Sequence, residues 1–201
     1  MDALKHLILQ NMAGFQRQTV EGAHLRRAAV AILLSPVDGQ PAFALTRRAL
    51  TLRRGAGNFA LPGGNTDPGE TPLETALRET HEELGVAPAL SEPLGLLDDF
   101  VTLGGHLVTP VILWSPEPLI LTPNPAEVDR VWQVPLTDLD HPEAPRAEPH
   151  PDGGEAILRM FAADNWVNPP TAAWLYQFRE VALRGRSVRV DTVGQPNWTA
   201  H

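Results

Sequence analysis

The sequence predicts a single α/β domain, and three observations lead there. Its 201 residues are 43% apolar, a length and composition that fit one domain of ordinary size with a sizeable core. Short apolar runs bounded by Gly, Pro and Asp read as strands. One segment carries start and stop signals at both of its ends and reads as a helix.

The elements follow in order along residues 1–201. Leu4, Leu7, Ile8, Met12 and Phe15 recur at helical spacing, which predicts an amphipathic helix over about residues 3–17 packed against the body. Ala28 to Leu34 and Ala42 to Leu45 are apolar runs separated by Ser35-Pro36-Val37-Asp38-Gly39, so two strands and a turn are expected. From Arg47 to Gly64 the period is lost and Gly55, Gly57, Pro62, Gly63 and Gly64 accumulate, marking a structured loop. Thr71-Pro72-Leu73-Glu74 combines a capping box with proline at the first helical position, and Gly85 and Pro88 supply the stop, so a helix is predicted at 72–84. Leu94 to Leu103 and His106 to Trp114 flank Gly104-Gly105 as a hairpin, and Val128 to Leu136 is a further strand. Pro116 to Pro125 is a proline-rich loop, and residues 141–154, rich in Pro, Glu and His, are irregular. A last helix is expected at 171–184, closed by Gly185, followed by a polar tail over about 186–201 with no assigned structure.

Composition removes several classes of function. With 16 basic and 24 acidic residues the net charge is −8, whereas affinity for nucleic acid comes from neutralising many phosphates. The arginines of residues 47–54 also lack interleaved aromatics, so small-molecule partners are expected. The absence of cysteine excludes disulfides, thiolate zinc sites and cysteine nucleophiles, leaving carboxylate, histidine or hydroxyl chemistry. No apolar run approaches the roughly 18 residues of a membrane span, and the first residues lack the layout of a signal peptide. A soluble, cytoplasmic protein without membrane or nucleic-acid partners is therefore expected, acting as a monomer or a homodimer.

The predicted 72–84 helix carries the chemistry. Leu73, Ala76, Leu77, Thr80 and Leu84 form a core-facing stripe, and Glu79, Glu82 and Glu83 fall in one sector away from it. Glu82 and Glu83 stand in the last turn, where each opposes the helix dipole by roughly a few tenths of a kcal/mol. Glu79 and Glu83 form a like-charged i, i+4 pair that adds a similar penalty. Stability alone would not select this arrangement, but a hard cation such as Mg²⁺ reverses the sign of both terms. Upstream, Arg47, Arg48, Arg53 and Arg54 occur with no acid between Arg47 and Gly64. A basic loop beside an acidic helix suits a metal-bound phosphate ester.

Gly64, Glu70, Arg78-Glu79, Glu82-Glu83 and Gly85-Val86, at these spacings, resemble the signature box of the Nudix hydrolases. Thr80 stands where the pattern wants an aliphatic residue. The resemblance implies an α/β/α sandwich around a mixed β-sheet and metal-dependent hydrolysis of a nucleoside diphosphate derivative. Leu45-Thr46-Arg47-Arg48, Leu52-Arg53, Gly57 and Leu61-Pro62-Gly63-Gly64 are similar to the upstream signature of the coenzyme A pyrophosphatase branch, as are Val108-Thr109-Pro110-Val111, Glu127-Val128, Val134-Pro135-Leu136 and Thr171-Ala172. Gly55, Asn58 and Leu61 depart from it, replacing histidine, glutamine and phenylalanine.

On this reading Glu79, Glu82, Glu83 and the Gly64 carbonyl hold Mg²⁺ or Mn²⁺. Glu70 and Arg78, as the resemblance suggests, brace the loop, and Gly85 ends the helix. Glu127 and Glu82 are candidates for the general base, with Glu127 reading equally as a solvated loop acid. Arg47, Arg48 and Arg53 would orient the pyrophosphate or a further phosphate of coenzyme A. Two alternatives stand beside hydrolysis of coenzyme A to 3′,5′-ADP and 4′-phosphopantetheine: the same chemistry on ADP-ribose or another nucleoside diphosphate derivative, and a regulatory module that binds nucleotide without cleaving it.

Overall fold

The computed structural model describes residues 1–22 and 24–200, without the side chains of Trp198 and Ala200; position 201 of the tail lies outside the described residues. The chain begins with helix α1 (Asp2–Gly14), then strands β1 (Arg26–Val37) and β2 (Gln40–Arg48) joined by the tight turn at Asp38-Gly39. Strands β3 (Phe59–Ala60) and β4 (Gly63–Asn65) precede helix α2 (Pro72–Leu84). Strands β5 (Glu92–Leu96), β6 (Phe100–Val101), β7 (His106–Trp114) and β8 (Val128–Pro135) follow. A small sheet of β9 (Arg146–Glu148), β10 (Ile157–Ala162) and β11 (Asn165–Val167) leads to helix α3 (Thr171–Phe178), which continues as a π-helical turn over Arg179–Leu183.

The main sheet is mixed. β1 runs parallel to β7 from Arg26↔His106 to Leu34↔Trp114, and antiparallel to β2 only from Leu34↔Phe43 to Val37↔Gln40. Beyond that, β3 pairs with Thr46 and Arg47, and β4 with Ala28 to Val30. The glycine-rich segment therefore enters the sheet between β1 and β2, which carries Gly63 and Gly64 to the foot of α2. β8 lies along the other edge of β2.

Alternation along β1 divides the core. Val30, Ile32 and Leu34 face one layer, with Ile8, Trp174, Leu175 and Phe178 from α1 and α3. Ala29, Ala31 and Leu33 face the other, with Ala76 and Leu84 of α2. The expected α/β/α sandwich is thus present. Alanines at the α2 contact let the helix approach the sheet closely, which positions its glutamates.

Helix α2 occupies the predicted residues. Thr71 Oγ1 accepts from Glu74 N, the Glu74 carboxylate accepts from Thr71 N at 2.7 Å, and Gly85 closes the helix at φ 71°, a left-handed conformation that suits glycine. Other expectations need correction. The first helix ends at Gly14 rather than near residue 17. The strand expected at 94–103 is split into β5 and β6, because Asp98 and Asp99 turn inward to bind Gln177, Arg189 and Arg17. The last helix is α-helical only to Phe178. Residues 141–154 contain β9, and the tail adds a bridge between Gly194 and Ile157. No helix among the described residues is long and apolar enough to cross a membrane.

Candidate active site

The C-terminal turn of α2, the β4 segment and the loop before β8 converge on three carboxylates. One ligand oxygen each from Glu79, Glu83 and Glu127 lies within 4.8 Å of the others. Their approach is built by backbone. Thr122 N donates to Leu84 O and Asn124 N to Glu83 O, both at 2.8 Å, so the loop satisfies carbonyls at the end of α2 that have no partner within the helix. Asn124 O then accepts from Glu127 N at 3.0 Å, which hangs Glu127 beside the helix.

Glu79 and Glu83 are buried, at 8% and 4% exposure. The helical wheel set both with Glu82 in one sector away from the core stripe, and burial now separates them from it. They turn toward Gly63 and Gly64, while Glu82 stays exposed at the rim and accepts from Arg78 Nη1 at 3.1 Å. Gly63 N donates to Glu83 Oε2 at 3.2 Å. A Cβ on Gly64 would lie 2.4 Å from Glu79 Oε1, so only glycine admits the carboxylate at that distance.

Arg78 ties the cluster to the loop. Its Nε donates to Glu70 Oε1 at 2.8 Å, Nη2 to Glu70 Oε2 at 3.0 Å and to Asn65 O at 2.8 Å, and Nη1 to Glu79 Oε1 at 2.8 Å. The bidentate pair pulls the Glu70 pKa down to about 2, helped by the Asp67 N–H and Thr75 hydroxyl. Burial acts oppositely on the cluster. It pushes the Glu83 pKa up to about 8, with Glu79 and Glu127 adding to the rise and the Gly63 N–H and Arg48 resisting it. Burial also raises Glu79, against Arg78. Three carboxylate oxygens gathered this closely, two of them on side chains whose ionisation burial disfavours, are the donor set a hard dication fits.

A cleft of about 540 Å³ adjoins the cluster through Gly63 and Arg48, two of its lining residues. Gly55, Asn58 and Leu61, the three departures from the upstream signature, line it too. The sequence-nominated arginines part ways here. Arg48 lines the cleft; the Arg47 Nε donates to Asp129 at 2.6 Å; Arg53 is exposed and outside the lining. Sequence reasoning did not nominate Arg54, His106, Asn168 or Trp174, all of which line the cleft. Arg54 was visible only as one of four arginines, and the others come from β7, the segment just after β11, and α3.

The NUDIX domain family model matches residues 25–153. Over 100 residues the chain is 43% identical to a protein of Photorhabdus laumondii subsp. laumondii described as an uncharacterized Nudix hydrolase, NudL, covering 49% of this chain and 54% of that one. Over 114 residues it is 39% identical to Nudix hydrolase 3 of Caenorhabditis elegans, covering 55% and 48%. The match spans about half the length of these relatives. The crystal structure of RenU, a Nudix hydrolase from M. smegmatis, superposes with a TM-score of 0.54 at 25% identity, covering 82% of this chain and 89% of that one.

Proposed function

The chain belongs to the Nudix family, and from that premise we propose that it hydrolyses the pyrophosphate bond of coenzyme A or its derivatives, giving 3′,5′-ADP and 4′-phosphopantetheine or its acyl form. The observation that carries the reading is the convergence of Glu79, Glu83 and Glu127 within 4.8 Å, beside a cleft lined by Arg48 and Arg54.

Glu79, Glu83 and Glu127, with the Gly64 carbonyl, would hold Mg²⁺ or Mn²⁺, and Glu82 joins from the rim. When bound, such an ion lowers the pKa of water and withdraws charge from phosphorus. Arg78 holds Glu79 in place through Nη1 and anchors the loop through Glu70 and Asn65. Glu127 takes the proton of the attacking water, since it is less buried than Glu79 and Glu83 and reaches the cluster from a separate loop. Arg48 and Arg54 orient the phosphates from the cleft side. Arg47 is held by its pair with Asp129, and Arg53 offers an exposed charge.

A second reading, hydrolysis of ADP-ribose or another nucleoside diphosphate derivative, is favoured by one observation: Gly55, Asn58 and Leu61 all line the cleft. Incubation with coenzyme A and with ADP-ribose, each with Mg²⁺ or Mn²⁺ and with products identified, separates the two. Release of 3′,5′-ADP and 4′-phosphopantetheine is the expected result. Cleavage of ADP-ribose alone overturns the substrate, and nucleotide binding without cleavage overturns hydrolysis itself.

A further inference from the structure

Two residues that line the cleft each carry a buried polar atom with no hydrogen-bond partner among the described residues: Trp174 Nε1 and Asn168 Oδ1. One is a donor and the other an acceptor. Trp174 is 4% exposed, and such atoms in a native interior call for a ligand or an equivalent partner. Val30, Phe59, Leu61 and Val108 give the same cleft an apolar share of its lining, beside the polar Asn58, Thr102 and His106. Thr171 also lines the cleft, but its hydroxyl already donates to Phe59 O at 3.2 Å. Arg48 and Arg54 line the same cleft.

We propose that this cleft seats the non-nucleotide arm of the substrate, an otherwise apolar chain bearing a secondary amide and joined to a phosphate. The amide carbonyl accepts from Trp174 Nε1–H, and the amide N–H donates to Asn168 Oδ1. This deepens the coenzyme A reading and rests on it.

A flat base would match the same donor and acceptor, but the aromatic surroundings argue for a chain. Bases are held largely by stacking on open rings. Here Phe59 packs on Trp132 at 5.3 Å, Trp174 meets Phe100 edge-on at 6.0 Å, and Trp166 meets Phe161 at 5.6 Å. These three cleft-lining rings are each engaged with a neighbouring ring, and the Trp174 N–H is left without a partner.

The test titrates the full chain with 4′-phosphopantetheine and, separately, with 3′,5′-ADP, following indole N–H resonances by NMR. The Trp174 signal is identified by its loss in Trp174→Phe. Expected is a downfield shift of that signal with 4′-phosphopantetheine, and about tenfold weaker binding of this probe in Trp174→Phe and in Asn168→Leu, equivalent to about 1.4 kcal/mol. Binding of 3′,5′-ADP should be unchanged in both variants. An unmoved Trp174 resonance, no binding of the arm at millimolar concentration, or weakening confined to 3′,5′-ADP would overturn the assignment. If Trp174→Phe fails to fold, Asn168→Leu and the wild-type titration decide. Arm binding with the predicted shift but no cleavage of coenzyme A would overturn the substrate reading and leave the cleft assignment standing.

Discussion

Replacing Glu83 with Gln isolates the cost of ionising a buried carboxylate. Burial, reinforced by Glu79 and Glu127, lifts the Glu83 pKa from 4.5 to about 8. Because the native value is raised, the stability linked to this proton is fully present below pH 4.5 and is lost as pH rises toward about 8. Each pH unit in that window costs about 1.4 kcal/mol for one proton, so the loss accumulated by pH 7 is roughly 3 kcal/mol. Glutamine carries no ionisable proton and keeps an oxygen for the Gly63 N–H. In EDTA, Glu83→Gln should therefore be more stable than the wild type by up to roughly 3 kcal/mol at pH 7, or about 6–12 °C in Tm, with the two converging near the acid end of the window. Added Mg²⁺ should reverse the order, and turnover should be lost. Urea midpoints measured across about pH 5–8, with and without Mg²⁺, check this. Equal midpoints for the two proteins across that range in EDTA would refute the buried-carboxylate reasoning, and near-normal turnover by the variant would reject the metal assignment.

Gly64→Ala should still fold, with a lowered Tm, since its Cβ meets the carboxylate end of Glu79 rather than backbone, and should lose roughly hundredfold in Mg²⁺ affinity; circular dichroism and calorimetric titration read the two effects. Arg78→Met should weaken Mg²⁺ by about 10–100-fold, seen as a shift in the metal dependence of kcat. Glu127→Gln should cost about 10²–10⁴-fold in kcat and Glu82→Gln much less; the opposite order in steady-state kinetics would move the base to Glu82. The Glu70 contribution, held by Arg78, should be present above pH 4.5 and fall away toward about pH 2, so Glu70→Gln should flatten the acid limb of a pH-dependent melt.

What could be read from the sequence was local. α2 was legible to the residue because capping box, proline and left-handed glycine are short-range signals that tertiary contacts only reinforce. β10 and β11 went unread because their turn uses Ala163 and Asp164 at positive φ, with no glycine to announce it. The break between β5 and β6 depends on Arg17 and Arg189, about 80 and 90 residues distant, so no window of sequence contains its cause. The glutamates were legible as a set, whereas their burial was not, since helical periodicity cannot show that a glycine pair will be inserted beneath α2. Arg48 and Arg47 look alike as neighbours, but strand alternation sends one to the cleft and the other to Asp129.

Asp98 and Asp99 take their guanidinium partners from outside the sheet. Arg17, which precedes β1, binds Asp99, and Arg189, which follows α3, binds Asp98 at 2.9 Å and the Gln16 carbonyl at 2.9 Å. A version trimmed to residues 19–187 would leave Asp98 with Gln177 and Asp99 with Thr109 and the Val20 N–H, neutral partners that do not balance a buried negative charge. Anyone shortening this chain to a minimal fragment would thus be cutting the cords that tie the β5–β6 edge of the sheet to both ends of the protein.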